Sequence, residues 1–494
     1  MPSRATHAVL WLIALTALAR LALAGLVGLS VDESYTLAIS RHFAASYFDH
    51  PPLHIWLVGA WARLLGTERP LAVRLPDILM FAASTWLMYR LTALLYGRRA
   101  GAWAALALNL APLFSLNAAG GVLPDGPLLL AALLALWCFA HVLASPATAS
   151  PPAGWLLAAG AAAGLALLSK YTAIFTIAGL GVWLLSCRPR WLPTPAPWLA
   201  ALLVVILFTP VLVWNYAHGF ASFAFQGGRA LPTNFSAARA ALDFAGELLY
   251  LLPWIGAALL VVLARALRRG WRDERGWLCA SVATAPIVVF SLLGFTSPVL
   301  PHWAAIGWLF AFPLLGESLA ALDGRALRAA RAVALASGVL LVAVVALLAV
   351  QAATGRVLAL GAHDPTLDLL DWRELGEQRA SLARRGLVVA AVSWIDAGKA
   401  DYALRGEVPV LCLCEDPRQF QYVRDPRAFA GRDALIVSDP GRPDWLERAA
   451  PYFRRIEPAP DLPLARAGRV ALALHTAWGR DLEPPPARPA RGSP

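Results

Sequence analysis

The residues best suited to chemistry cluster between Val31 and about Pro70, where Asp32, Glu33, His42, Asp49, His50 and His54 stand among Tyr35, Tyr47, Phe48 and Trp56. Carboxylates and imidazoles are the side chains that most often move protons in general acid–base catalysis. Here an acid pair follows an apolar run, and a helical stretch returns the chain to Asp49-His50-Pro51-Pro52, so acids and imidazoles meet at one edge. The plainer reading makes Asp32 and Glu33 a solvated helix terminus. Asp125, in Leu123-Pro124-Asp125-Gly126-Pro127, is either an ordinary N-cap or a second acid facing the same space as Asp32. Lys170, in Leu168-Ser169-Lys170-Tyr171-Thr172, and Arg74, in Val73-Arg74-Leu75-Pro76, are cations at the edges of apolar runs, and a phosphate would satisfy both. Snorkelling to the interface is the alternative for Lys170. His218 and His302 sit among tryptophans, as an interfacial aromatic belt would place them, although His302 also falls on the same side as the acids. Asp32, Asp49, His50 and His54 are suitable metal-ligand types but lack a diagnostic spacing, so a divalent cation is possible and no cofactor is certain. Phosphate-loop, nucleophile-elbow and paired-cysteine zinc patterns are missing, which gives no support to nucleotide or serine hydrolysis.

Positioning these groups falls to elements that live in lipid. Of 494 residues, 59% are hydrophobic and 15% charged, against roughly 45–50% and 25% in soluble domains. The excess of 42 basic over 31 acidic residues is almost all arginine, and before residue 350 it lies mainly in short connections between apolar runs. That is the positive-inside pattern of a membrane protein and sets nucleic acid aside as a partner. Spans need about 20 apolar residues, and the sequence predicts about eleven transmembrane helices, near 8–29, 71–95, 102–119, 126–144, 153–169, 171–187, 197–214, 247–264, 277–295, 303–321 and 331–350. Arginines at 98–99, 188–190, 265–275 and 325–331 fall on alternate connections, which puts the N-terminus in the cytoplasm and the odd connections, with the tail beyond 355, outside. The first run ends in Ala22-Leu23-Ala24, like a signal cleavage site, but Arg20 interrupts it and argues for a retained span.

Beyond residue 355 the composition turns rich in Arg, Asp, Glu and Pro. The runs 387–392, 408–413 and 434–437 read as short buried strands, with a helical stretch at 372–384. The expected organisation is a transmembrane domain over 1–354, a small extracytoplasmic α/β domain over 355–480 and a disordered tail over 481–494. Cys412 and Cys414 are the two cysteines that lie close; two apart on one strand they would share a face but bridge poorly.

Asp32-Glu33-Ser34-Tyr35 after the first span, Tyr47-Phe48-Asp49-His50-Pro51-Pro52-Leu53 before the second, Ala72-Val73-Arg74-Leu75-Pro76 opening it, Pro124-Asp125 opening the fourth and Ser169-Lys170-Tyr171 after the fifth form an ordered set. In that order they resemble the polyprenyl-phosphate-dependent glycosyltransferases of the GT-C superfamily, of the protein O-mannosyltransferase and lipid A aminoarabinose transferase type. The resemblance covers most of residues 8–350. It implies a GT-C fold in a bacterial inner membrane, a polyprenyl-phosphate-linked sugar as donor, a lipid or protein acceptor outside the cytoplasm, and inversion at the anomeric carbon. It also implies Asp32 as catalytic base with Asp125 as a second acid, and Lys170, Arg74 and His50 around the donor phosphate. Glu33, Tyr35, Asp49, His54 and His302 complete the candidates. His50 is a departure, standing where the aminoarabinose branch carries a lysine; an imidazole is partly charged near neutral pH and would hold the phosphate differently. A transporter that moves a lipid-linked sugar without transfer is the rival. It would favour midplane charges and repeated halves, whereas these acids and Lys170 keep to one edge. Anchoring alone would not need eleven spans.

Overall fold

The computed structural model describes residues 3–118, 121–143, 145–146, 150–229, 231 and 234–483. Among the described residues, six helices are long and apolar enough to cross a membrane: Arg4–Leu26, Pro70–Tyr96, Asp125–Val142, Pro195–Ala217, Glu274–Leu293 and Gly324–Thr354. The bent pair Ala237–Tyr250 and Pro253–Arg272, which turns through 104°, makes a seventh if it is one span. The other expected spans are shorter or broken helices. Ala153–Ser169 and Tyr171–Cys187 fall just under span length. The run predicted at 102–119 is divided into Arg98–Leu110 and a wide turn over Leu113–Ala118, because Ala111 precedes Pro112 and takes an extended conformation. The sharp bend of the other pair falls at Leu252, which takes a positive φ of 66° just before Pro253.

By its internal contacts the chain forms two compact units. The first comprises Met1–Leu21, His50–His54 and Leu75–Val342; the second Ala22–Asp49, Ile55–Arg74 and Ala343–Pro494. A boundary at 354 was expected, yet the first long loop groups with the tail. The reason is a shared apolar core, in which Tyr35, Ile39, Tyr47 and Ile55 pack with Leu375, Val389, Ala397 and Val410.

Within the first unit, Asp125–Val142 packs on Ala153–Ser169, which packs on Pro195–Ala217, while Ile174–Cys187 packs on Glu274–Leu293. Small residues set these distances. A Cβ on Gly179 would lie 2.5 Å from the Cα of Val282, so only glycine admits that approach. Trp183, Trp308, Phe310 and Phe312 fill the core.

The second unit contains a six-stranded sheet of β1 (Val388–Ala391), β2 (Val410–Cys412), β3 (Ala434–Ser438), β4 (Phe453–Pro458), β5 (Leu462–Arg466) and β6 (Arg469–Leu482). Its order is β2-β1-β3-β6-β4, with β5 paired to β6. The first three are parallel and correspond to the predicted buried runs; β6 pairs antiparallel with β3, β4 and β5. The last three were not foreseen, since their mixed exposure and several arginines hide the alternation. β6 runs to Leu482, past the boundary expected at 480, and residues 484–494 of the expected tail lie outside the described residues. The helical stretch 372–384 is two short helices, Arg373–Glu377 and Arg379–Arg384. Helix Val31–Ser40 lies against Trp394–Ala403. A Cβ on Gly398 would come 3.0 Å from the Cα of Tyr35, which is why a glycine stands there.

Candidate functional site

The predicted site residues fall into two groups, one in each unit. In the second unit, Ser30 caps helix Val31–Ser40: its Oγ accepts from the Glu33 amide at 3.3 Å, and its own amide donates to Glu33 Oε2 at 2.8 Å. This capping box leaves Asp32 in the first turn and exposed to solvent. Desolvation by the protein around it raises its pKa, with Arg418 opposing and Glu33 and Asp368 adding to the rise.

Glu33 turns inward to a buried fork with Arg74, whose Nε and Nη2 donate at 2.7 and 2.6 Å. The remaining N–H groups of Arg74 donate to the carbonyls of Ala24, Val27 and Gly28. A guanidinium has five donors, and all are taken. Arg74, expected to face a phosphate, therefore ties the end of the first helix to the start of the next.

Asp49 is buried and accepts from Tyr35 Oη at 3.2 Å, with the Arg418 guanidinium 3.6 Å away. Burial raises its pKa, Arg418 opposes this, and Asp32 is near enough to add to the rise. Tyr35 Oη in turn accepts from the amide of Gln419 at 3.0 Å, and Gln419 Oε1 accepts from the amide of Phe48 at 2.8 Å. Arg418 also lies over the ring of Trp394, 3.8 Å from its centroid. The sequence reading missed Arg418 and Gln419: they sit in an irregular loop some 370 residues from Asp49 in the chain, and no motif marked them.

In the first unit, Lys170 Nζ donates to both carboxylate oxygens of Asp125, at 3.0 and 2.9 Å, with both residues buried. Asp125 opens helix Asp125–Val142 and Lys170 closes Ala153–Ser169, two helices packed side by side. His54 and His302 share this neighbourhood. Burial lowers the pKa of each, Lys170 lowers it further and Asp125 works against the shift, so both imidazoles are neutral near pH 7. The ring of His50 meets that of His54 edge-on at 5.5 Å. A Cβ on Gly126 would collide with the carboxylate of Asp77, so glycine is required beside Asp125. His218 stacks on Trp214. Among the described residues, no three His, Cys, Asp or Glu side chains are grouped to hold a metal ion.

Comparison with known proteins bears on this arrangement. Residues 49–214, which include His50, His54, Arg74, Asp125 and Lys170, match the family model described as dolichyl-phosphate-mannose-protein mannosyltransferase. A solved structure of ArnT from Cupriavidus metallidurans, bound to undecaprenyl phosphate, superposes with a TM-score of 0.67 over 95% of this chain and 97% of that one, at 20% identity. The chain has the GT-C fold. An oligosaccharyltransferase of Archaeoglobus fulgidus matches with a TM-score of 0.52 and 14% identity, over 94% of this chain and 74% of the other. A curated relative, the lipid A galacturonosyltransferase of Rhizobium johnstonii, is 21% identical over 281 residues, or 56% of this chain. The chain spans 58% of that relative's length.

Proposed function

We propose that this protein is an inverting glycosyltransferase that takes a sugar from a polyprenyl-phosphate donor and passes it to an acceptor hydroxyl outside the cytoplasm. The acceptor classes in view are a glycolipid such as lipid A, a polysaccharide and a protein hydroxyl. The observation that carries the reading is the buried Lys170–Asp125 pair, within the stretch matched by the family model and near the neutral imidazoles of His54 and His302. An ammonium held dry by a single carboxylate can turn to a phosphate without first shedding water. Neutral imidazoles beside it can donate to phosphate oxygens and add no charge. As the bond from sugar to phosphate breaks, negative charge grows on the leaving group, and fixed donors stabilise that state more than the ground state.

Asp32 is assigned the proton of the acceptor hydroxyl, since it is accessible where Glu33 and Asp49 are committed to protein partners. Attack by that oxygen from the face opposite the phosphate inverts the anomeric carbon. Asp125 holds Lys170, and Arg74 acts by positioning Glu33 and hence the helix that presents Asp32. In this reading about eleven segments cross a bacterial inner membrane, the N-terminus is cytoplasmic, and residues 355–480 form a domain on the outer face.

The test is transfer from a panel of radiolabelled polyprenyl-phosphate sugars into membrane extract, comparing wild type with Asp32→Asn in one detergent. The expected result is transfer by wild type and a loss of about 100-fold or more in the variant, with its melting temperature unchanged. If wild type transfers from no donor but moves the lipid between leaflets of vesicles, the protein is a transporter and Asp32 is not a base.

A further inference from the structure

Cys412 and Cys414 bring their sulfurs to 3.2 Å. In a continuous strand, residues two apart sit about 6.6 Å from Cα to Cα, near the upper limit for a bridge. Here β2 ends at Cys412, the next residue, Leu413, makes a last bond from its amide to the Ala391 carbonyl, and the chain bends at Cys414. The bend closes the gap that strand geometry would leave. Cys412 is buried and Cys414 half-buried, so one sulfur is protected and its neighbour reachable. Burial pushes the Cys412 thiol up, while the hydrogen bond from Cys412 pulls the Cys414 thiol down, so Cys414 is the one that ionises first. Four residues further on, the same loop carries Arg418 and Gln419. Arg418 is in the left-handed region at φ 48°, and its guanidinium lies against Asp49 and Trp394. Gln419 bonds Tyr35 and Phe48.

We propose that Cys412 and Cys414 form a reversible intramolecular disulfide, by exchange with an external protein or small-molecule disulfide, that fixes the loop through which Arg418 and Gln419 hold Asp49, Tyr35 and Phe48. The Cys414 thiolate attacks one sulfur of the external disulfide and releases its first thiolate. Cys412 then loses its proton to solvent and attacks Sγ of Cys414, which releases the second thiolate. The two cysteines are oxidised by two electrons, the external disulfide is reduced to two thiolates, and these take up, through solvent, the two protons that the cysteines lose. A bridge between residues this close in the chain is strained, and strained disulfides are the easily reduced ones. An oxidising compartment outside the cytoplasm supplies the reagent, and in this respect the inference rests on the external placement of residues 355–480.

The experiment uses the full-length protein in detergent, equilibrated across a series of oxidised and reduced glutathione and then alkylated. Both cysteines fall in one tryptic peptide, 406–418. It is expected to pass in one transition from doubly alkylated to unalkylated and two hydrogens lighter than the dithiol. Hydrogen exchange at the amides of Phe48 and Gln419 is expected to slow several-fold in the oxidised protein, and this difference is expected to vanish in Cys414→Ser. The proposal is overturned if the peptide stays doubly alkylated, if the cysteines bridge only to other chains, or if oxidation leaves both amides exchanging as before. None of these readings uses sugar transfer, so the outcome is separate from that of the transferase test.

Discussion

At the scale of single residues, the two carboxylates of the second unit give the clearest consequence. Desolvation raises the pKa of both Asp32 and Asp49, and Arg418 restrains each. A base must be ionised to act, so the acid limb of the transfer rate is expected to lie above the ordinary aspartate value of about 4. Removing the cation in Arg418→Gln raises both pKa values further, and a pH–rate series should show the limb moving to still higher pH. A shift in the other direction would dissociate Arg418 from the base. For the buried pair, Lys170→Met strands the Asp125 charge, a loss of about 3–5 kcal/mol readable as a fall in melting temperature. Adding Asp125→Leu is expected to restore most of that stability, while binding of a polyprenyl phosphate, followed by calorimetry, stays weak. Recovery of binding in the double variant would remove Lys170 from phosphate recognition.

At the scale of elements, the decisive join is between the first helix and Val31–Ser40. Arg74 ties the carbonyls of Ala24, Val27 and Gly28 to Glu33, the same carboxylate that completes the cap at Ser30. Arg74→Met leaves one buried carboxylate and three carbonyls without this donor. A stability loss of about 3–5 kcal/mol is expected, with faster hydrogen exchange over residues 30–40. Unchanged exchange there would mean that Arg74 is free for another task. The sequence placed Arg74 at the start of its helix correctly, but its partner could not be read, because Glu33 is 41 residues away and opposite charges abound in both loops.

At the scale of the whole molecule, Lys399 reports on how the first loop and the tail share one core. Its ammonium donates to the carbonyls of Leu29 and Leu370, and burial lowers its pKa to about 8, with Asp371 opposing. Unfolded lysine titrates near 10.4. Between these values the unfolded chain binds a proton that the folded one has released, so the contribution of Lys399 to stability rises with pH from 8 toward 10, by about 2 kcal/mol. Above pH 10 the sign reverses, because burial raises the pKa of Tyr35 and Tyr402 and the unfolded tyrosines ionise first. The buried Cys412 thiol works the other way in the same window as Lys399, since the unfolded thiol ionises first, so the lysine is read as the difference between wild type and Lys399→Met. From pH 8 to pH 10 the melting temperature of wild type is expected to gain on that of the variant, and an unchanged difference would remove the effect.

The sequence by itself determined the apolar helices, the three parallel strands and the residue types at the ends of the apolar runs, because periodicity and composition are local properties that survive any arrangement of the elements. It also determined the order of the Asp32, Asp49-His50, Arg74, Asp125 and Lys170 segments along the chain. Pairing was decided only in three dimensions. Asp125 was matched to Lys170, Arg74 to Glu33, and Asp49 to Arg418 and Tyr35 by helices and loops that meet across tens to hundreds of residues. The bend at Cys414 and the grouping of residues 22–49 with the tail were decided there too. Coulomb attraction and burial act through space, and no spacing along the chain encodes which of several equivalent charges will be within reach.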